Sequence, residues 1–285
     1  MKKYSQTVLA IILIISGLSN LMAQDSLAMD YNKPNRKGKM YVHWGWNVSS
    51  YSNSDISFKG NNYDFTLRDV EAKDKQTPWD ASVYLNPGSI TNPQTNFKFG
   101  YFINDHYAIS VGVDHMKYVM VQDQSVKIEG EISNETSYDG VYGSDDILLT
   151  QEFLRFEHTD GLNYINVEIE RFDDILKMTG NGKKNLEINT VLGAGVGVLL
   201  PKTNATLMDF ERYDDFNLAG YGLNLKIGLD ITIYKYFFVR GELKGGYINM
   251  PNIRTTQFKE DKASQAFLFG EADFLFGAIF RISNK

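Results

Sequence analysis

The sequence of 285 residues contains no cysteine and only 6 prolines. Without cysteine the chain has no disulfide scaffold, no thiolate metal site, no cysteine nucleophile and no cysteine for the lipid anchor of a lipoprotein. Positive charge is also scarce: 29 Lys and Arg face 35 Asp and Glu, the formal net charge is -6, and no basic stripe offsets it. This charge balance argues against a nucleic-acid-binding protein.

The first 23 residues have the layout of a secretory signal peptide. Lys2 and Lys3 form a positive start, residues 8–15 (VLAIILII) form an apolar stretch, and Ala23 supplies the small residue that precedes cleavage. The apolar stretch is about half of the roughly 20 residues that a membrane-spanning helix needs. The sequence therefore predicts export through a cleaved signal peptide, followed by a periplasmic N-terminal segment at residues 24–38.

Apolar and polar residues alternate in eight segments of the chain after residue 39. The clearest segment runs from Tyr221 to Ile233, where odd positions are apolar and even positions are polar or glycine. No apolar run after the signal peptide is long enough for a transmembrane helix, so a membrane-embedded form would cross the bilayer as strands. The segments span roughly 10 to 17 residues, which exceeds the usual soluble strand and suits a tilted strand that crosses a bilayer.

The connections between these segments alternate between short and long. The short ones are residues 104–106, 177–185 and 234–236, and the long ones are about 50–93, 122–161, 201–217 and 250–263. Outer-membrane barrels have short periplasmic turns and long extracellular loops. The sequence therefore predicts an all-β, antiparallel, up-and-down transmembrane β-barrel over residues 39–285. We expect eight strands with both termini in the periplasm, and ten strands stay open because residues 56–66 and 147–156 also resemble strands.

A signal peptide followed by eight amphipathic strands resembles the small outer-membrane β-barrel proteins of Gram-negative bacteria. The barrel opens with His43-Trp44-Gly45-Trp46-Asn47 and closes with an aromatic-rich strand, and its plan is similar to the OmpA transmembrane domain. The resemblance covers nearly the whole chain and rests on architecture. It implies a monomer in the outer membrane, surrounded by lipid and lipopolysaccharide and inserted by the barrel-assembly machinery. One departure is that these barrels commonly end on an aromatic residue, whereas here five residues follow Phe280.

The inward-facing phase of the strands carries many charges. Buried charges must be paired and hydrogen-bonded or must contact water, and an eight-stranded barrel is just wide enough inside for side chains to fill. We therefore expect an interlocked polar network that plugs the lumen, with an open pore as the alternative. The expected members are Lys98, Asp114, Glu168, Glu170, Glu187, Lys226, Asp230, Arg240, Glu242, Lys244, Glu271, Asp273 and Arg281.

Aromatic residues near the strand ends predict two girdles at the membrane interfaces. The expected members are Tyr101, Tyr107, Tyr234 and Tyr236 at the periplasmic side, and Trp44, Trp46, Tyr221 and Tyr247 at the other side. A soluble β-sandwich core is the alternative for each of them.

The function that the sequence favours is a structural or surface-interaction role without catalysis, cofactor or bound metal. A small porin-like channel is one alternative. A lipid-modifying enzyme is another, built on His43 with Ser49 or Ser110 and Asp114, although no spacing requires that set. His115 is expected to face outward.

The two longest loops are the expected places for an extracellular ligand. The segment 122–161 carries ten acidic and two basic residues. Its stretch 138–146 offers oxygen ligands for calcium but lacks the regular pattern of a known calcium loop, and a solvated acidic surface is the other interpretation.

Overall fold

The computed structural model describes residues 36–86, 88, 92–175, 186–208 and 210–282. The predicted signal peptide, most of the segment 24–38 and the turn predicted at 177–185 lie outside these residues. No helix in the described ranges is long and apolar enough to cross a membrane, a finding that does not bear on β-barrels.

The described chain is built almost entirely of strands. In chain order the elements are β1 (Met40–Tyr51), β2 (Ser54–Lys59), β3 (Tyr63–Val70), β4 (Ala72–Lys73), α1 (Ala81–Tyr84), β5 (Thr95–Phe102), β6 (Tyr107–Met120), β7 (Ser125–Ile132), β8 (Gly140–Leu148), β9 (Leu154–Asp174), β10 (Leu186–Leu207), β11 (Tyr213–Phe216), β12 (Gly220–Ile233), β13 (Phe237–Arg254) and β14 (Lys262–Phe280).

Eight of these strands close into a ring. The order is β1-β5-β6-β9-β10-β12-β13-β14, every neighbouring pair is antiparallel, and β14 pairs back onto β1. At the closure Met40 lies opposite Phe280 and Tyr51 lies opposite Phe269. Ring neighbours follow one another along the chain, so the predicted eight-stranded, antiparallel, up-and-down barrel is confirmed. A closed ring leaves none of these strands with an unpaired edge.

The period-two pattern places apolar side chains outside the ring and polar ones inside. On β12, for example, Leu225 and Ile227 are 61% and 51% exposed, whereas Lys226 between them is 5% exposed. We call the end of the ring near residues 103–106 and 234–236 the turn rim, and the opposite end the extension rim.

The segments predicted as the two longest loops contain strands instead of open loop for much of their length. β2 with β3 and β7 with β8 form hairpins, and they continue the sheet outward in the order β14-β2-β3-β7-β8. These four strands, together with the ring strands beyond the extension rim, form what we call the extension. These segments form strands and not open loops because their apolar residues, such as Ile56, Phe58 and Phe65, are fully buried in the extension. None of the four enters the ring, which stays at eight strands and not ten.

Two apolar clusters fill the interior at different heights. The aromatic floor, at the turn rim, consists of Tyr41, Phe102, Ala108, Phe172, Val191, Phe238 and Ile279. The apolar cap is the larger cluster under the extension, and its members include Phe58, Phe65, Tyr118, Phe156, Phe267 and Phe269. Since the strands carry polar inward-facing residues between these levels, the barrel interior has three layers.

Candidate functional site: a buried charge layer

The middle layer of the barrel interior is composed of charged side chains. Eleven of the thirteen residues predicted for the lumen network lie in it, and none is more than 6% exposed. They are the cations Lys98, Lys226, Arg240 and Lys244 and the acids Asp114, Glu168, Glu170, Asp230, Glu242, Glu271 and Asp273. We call this set the charge layer. It brings together residues from β5, β6, β9, β12, β13 and β14.

Lys226 lies at the centre of the charge layer. Its ammonium nitrogen is 2.7 Å from Glu168, 2.7 Å from Glu170 and 3.1 Å from Glu242. The second cation beside Glu168 is Lys98. Lys226 thus bridges carboxylates of β9 and β13, and the two lysines together tie β9 to β5, β12 and β13 inside the lumen.

Arg240 joins the charge layer to the aromatic floor. Its guanidinium pairs with Asp230 at 3.2 Å and lies 3.6 Å from Glu170. The same group lies 4.9 Å from the ring centre of Phe238 and 5.1 Å from that of Phe172. Because a weakly hydrated guanidinium both pairs with carboxylates and packs on aromatic faces, Arg240 suits this boundary between polar and apolar layers.

Lys244 pairs with the carboxyl groups on the other side of the lumen. Its nitrogen is 2.7 Å from Asp114, 3.7 Å from Glu271 and 3.8 Å from Asp273. Asn166 also donates to Asp114, at 2.8 Å. One ammonium therefore lies between three acids, and this side of the layer is the more acidic.

Neutral side chains complete the layer, and the sequence interpretation missed them. Asn224 donates to Glu168 at 2.9 Å, and the hydroxyl of Tyr164 donates to Asn224 at 2.9 Å. Tyr41 donates to Glu170, and Asn96 donates to Glu271. Each lies on the inward phase of its strand, and that phase was the signal that would have found it. Buried polar groups need such partners.

Two predicted members, Glu187 and Arg281, lie outside the charge layer. Glu187 is at the turn rim and pairs with Arg36 at 2.9 Å, while Arg281 is exposed and donates to the carbonyl of Lys37. The prediction was wrong for Arg281, which follows the last residue of β14 and is exposed. Glu187 connects to the charge layer from the turn rim, because Arg36 also donates to Asn189, and Asn189 donates to Asp230 at 3.3 Å. Arg36, which was not predicted, is 3% exposed and lies against the rings of Phe102 and Phe172. It closes the floor from below.

The eight predicted girdle residues all lie on the outside of the barrel or in its turns. Tyr101, Tyr221, Tyr234, Tyr236 and Tyr247 are exposed, and Trp44, Trp46 and Tyr107 are half-buried against neighbouring rings or cations. Tyr107, Tyr234 and Tyr236 are at the turn rim. Their role at a membrane interface stays a prediction.

The histidines do not assemble the hydrolase set considered from the sequence. Neither ring nitrogen of His43 has a hydrogen-bond partner in the described structure, and Asp114 binds Lys244 and Asn166 instead. His115, which we expect to face outward, is only 5% exposed, and its ring is hydrogen-bonded to Asn163 at 2.8 Å. His158 packs on Tyr118 and Phe156 of the apolar cap, and burial lowers its pKa to about 3.

In the acidic stretch 138–146, the carboxylate of Asp139 is hydrogen-bonded to nearby backbone groups. Asp139 accepts hydrogen bonds from the backbone N–H groups of Asn134, Glu135 and Thr136, at 3.0, 2.9 and 3.0 Å. Among the described residues, no group of three or more metal-binding side chains is arranged to hold an ion. These hydrogen bonds favour the interpretation of this stretch as a solvated acidic surface.

No protein-family model and no curated protein matches this sequence. Among solved structures, the chain is similar to the outer membrane protein OprG from Pseudomonas aeruginosa, with 10% identity and a TM-score of 0.42 over 88% of this chain and 100% of that one. It is similar to the outer membrane protein AlkL, with 9% identity and a TM-score of 0.40 over 92% and 98%. A third is the attachment invasion locus protein Ail of Yersinia pestis, in complex with the heparin analogue sucrose octasulfate, with 9% identity and a TM-score of 0.33 over 86% and 99%. The similarities are low, so the description of the fold rests on this chain's own strand pairing.

Proposed function

We propose that this protein is an outer-membrane β-barrel with a sealed lumen, and that its role is structural or lies in surface interaction through the extension. The observation that carries the proposal is the combination of an exposed apolar wall with a charged interior that is covered at both ends.

The outer wall supports a membrane location. Leu225, Leu229 and Leu243 are 61%, 46% and 62% exposed, and they belong to a continuous apolar surface around the ring. Apolar patches of this extent are rare on soluble monomers, whereas a barrel in lipid needs them and also needs every strand paired. By the usual arrangement of such barrels the turn rim faces the periplasm and the extension faces outward.

The layered interior supports a sealed lumen over a channel. A permeating ion would have to pass the aromatic floor with Arg36, the charge layer and the apolar cap. Tyr41, Phe102 and Phe238 of the floor are each at most 2% exposed, as are Phe58 and Phe156 of the cap. Since the ring has eight strands, side chains alone are enough to fill it.

The extension supports a role at the cell surface. It contains two hairpins with acidic side chains beyond the extension rim, and rigid scaffolds commonly carry binding on such elements. Lipid, lipopolysaccharide and the barrel-assembly machinery are the partners we propose for a monomeric barrel, together with an extracellular ligand at the extension. Catalysis is not part of the proposal.

Gel mobility of the envelope-derived protein tests the membrane barrel. In detergent, an unboiled sample should migrate faster than a boiled one, because the closed ring resists detergent until it is heated. A protein that is soluble without detergent and shows no mobility shift would contradict the proposal.

A further inference from the structure

Shortly after β4 the chain leaves the barrel wall on the outside. β5 begins at Thr95, opposite Trp46 of β1. Beyond that level β4 pairs with β6, and the N–H of Ser49 on β1 donates to Asp74 at 2.8 Å. Residues 72–76 therefore continue the wall where β5 is missing, and residues 77–86 lie outside it.

We call residues 77–86 the side loop, and it packs on the outer wall. The ring of Tyr84 lies 5.9 Å from that of Trp46, and the indole N–H of Trp46 donates to the carbonyl of Tyr84 at 3.2 Å. Trp46 belongs to the outward phase of β1 and packs on Phe274 and Phe276 of β14. Trp79 packs on Tyr84 at 4.7 Å. The side loop therefore adds its aromatic rings to the apolar wall itself.

The side loop also exposes large apolar side chains and carries almost no charge. Trp79 and Leu85 are 70% and 63% exposed. Residues 77–93 contain one charged residue, Asp80, and its carboxylate is occupied in accepting the N–H of Ser82 at 2.8 Å. The segment 122–161 of the extension, by contrast, has twelve charged residues, ten acidic and two basic. A loop in water would not be expected to combine exposed Trp and Leu with so few charges.

We propose that the side loop is a lipid contact, in which Trp79 and Leu85 enter the interfacial region of the outer leaflet beside β1 and β14. The inference rests on the proposed membrane barrel and adds a second lipid-binding element to it. Tryptophan and tyrosine favour this depth because one end of the ring system is apolar and the other forms hydrogen bonds. Tyr84 continues the aromatic surface formed by Trp46, Phe274 and Phe276. Because that part of the wall faces lipid in the proposed barrel, lipid is the partner that we assign to the side loop.

Site-directed spin labelling tests the depth of the side loop, and the absence of cysteine gives a chain without background labelling. Leu85→Cys, Leu225→Cys and Val141→Cys would each carry a nitroxide label in the full chain, refolded into phosphatidylcholine vesicles. All three side chains are exposed, at 63%, 61% and 86%. Leu225 reports the wall and Val141 the extension. Accessibility to oxygen, which dissolves in lipid, is compared with accessibility to a water-soluble nickel chelate.

We expect the Leu85 label to prefer oxygen over the nickel chelate, at a depth between the labels at Leu225 and Val141. If the Leu85 label is as accessible to nickel as the Val141 label while the Leu225 label stays protected, the side loop is in water and the inference is wrong, although the membrane barrel stands. If the Leu225 label is also accessible to nickel, the proposed function fails and this inference with it.

Discussion

Replacing Lys226 by methionine tests whether the charge layer holds the barrel together. Methionine fills most of the space of the lysine chain, so the loss would be mainly electrostatic. The substitution leaves Glu168, Glu170 and Glu242 without the ammonium group that lies within 3.1 Å of each of them, at a position where the side chain is fully buried. Removing one partner of a buried ion pair costs about 3 to 5 kcal/mol. Since three carboxylates lose one cation, we expect a loss in this range in the free energy of unfolding.

The assay is urea-induced unfolding of the refolded protein in vesicles, followed by tryptophan fluorescence. Lys262→Met is the matched control, because Lys262 is exposed and has no ion-pair partner among the described residues; it should change stability by less than about 0.5 kcal/mol. Adding Glu242→Gln to Lys226→Met should restore part of the loss, since it removes one unpaired carboxylate and Arg240 keeps Asp230 as a partner at 3.2 Å. A Lys226→Met protein that unfolds within about 1 kcal/mol of the parent would contradict the claim that the charge layer holds the barrel together, because water or a bound proton would then compensate the three carboxylates as well as the lysine does.

Three further predictions concern the other layers. Burial lowers the pKa of His158 from 6.5 to about 3, so the free energy of unfolding should fall as the pH drops below 6.5. Between pH 7 and pH 5 the parent should lose about 2 kcal/mol more than His158→Gln in urea unfolding. Equal losses would contradict the buried neutral histidine. Gly100→Ala should cost about 1 to 3 kcal/mol of stability, since the added methyl group would lie 2.1 Å from the ring of Tyr41. Gly241→Ala is the control and should be nearly neutral, because there is open space around Gly241. Similar melting temperatures for the two variants would argue against a packed floor. Arg68→Ala removes only exposed ion pairs in the extension, and such pairs contribute little to stability. The urea midpoint should therefore stay close to that of the parent, and a clear drop would mean that the extension depends on these pairs.

The ring was predictable from the sequence because one physical rule acts along every strand. Alternation fixes which residues face lipid and which face the lumen, and a one-residue shift of register would reverse them all. Lys226 and Arg240 could be assigned to the lumen on that ground alone. Their partners could not be assigned, because pairing between strands distant in sequence depends on the stagger of the closed ring.

The extension and the apolar cap were harder to predict. The inward phase turns apolar towards the outer end of several strands, as at Met116, Tyr118 and Met120 of β6, and this change of character was the available signal for a packed core above the charge layer. Residues 56–66 resemble a strand in the sequence, and they lie in the hairpin of β2 and β3. Its place outside the ring follows from the pairing of β2 with β14, which local sequence does not encode. Arg36 was not found because it precedes the first strand and reaches the floor through tertiary contacts.

Conductance across a planar lipid bilayer tests the sealed barrel most directly. Protein that shows the mobility shift of a folded barrel is added to a membrane between two salt solutions under an applied voltage. The three layers of the interior predict insertion without conductance steps above those of the bare bilayer. Reproducible steps that depend on the folded protein would contradict the account, because they require a water-filled path through the aromatic floor, the charge layer and the apolar cap.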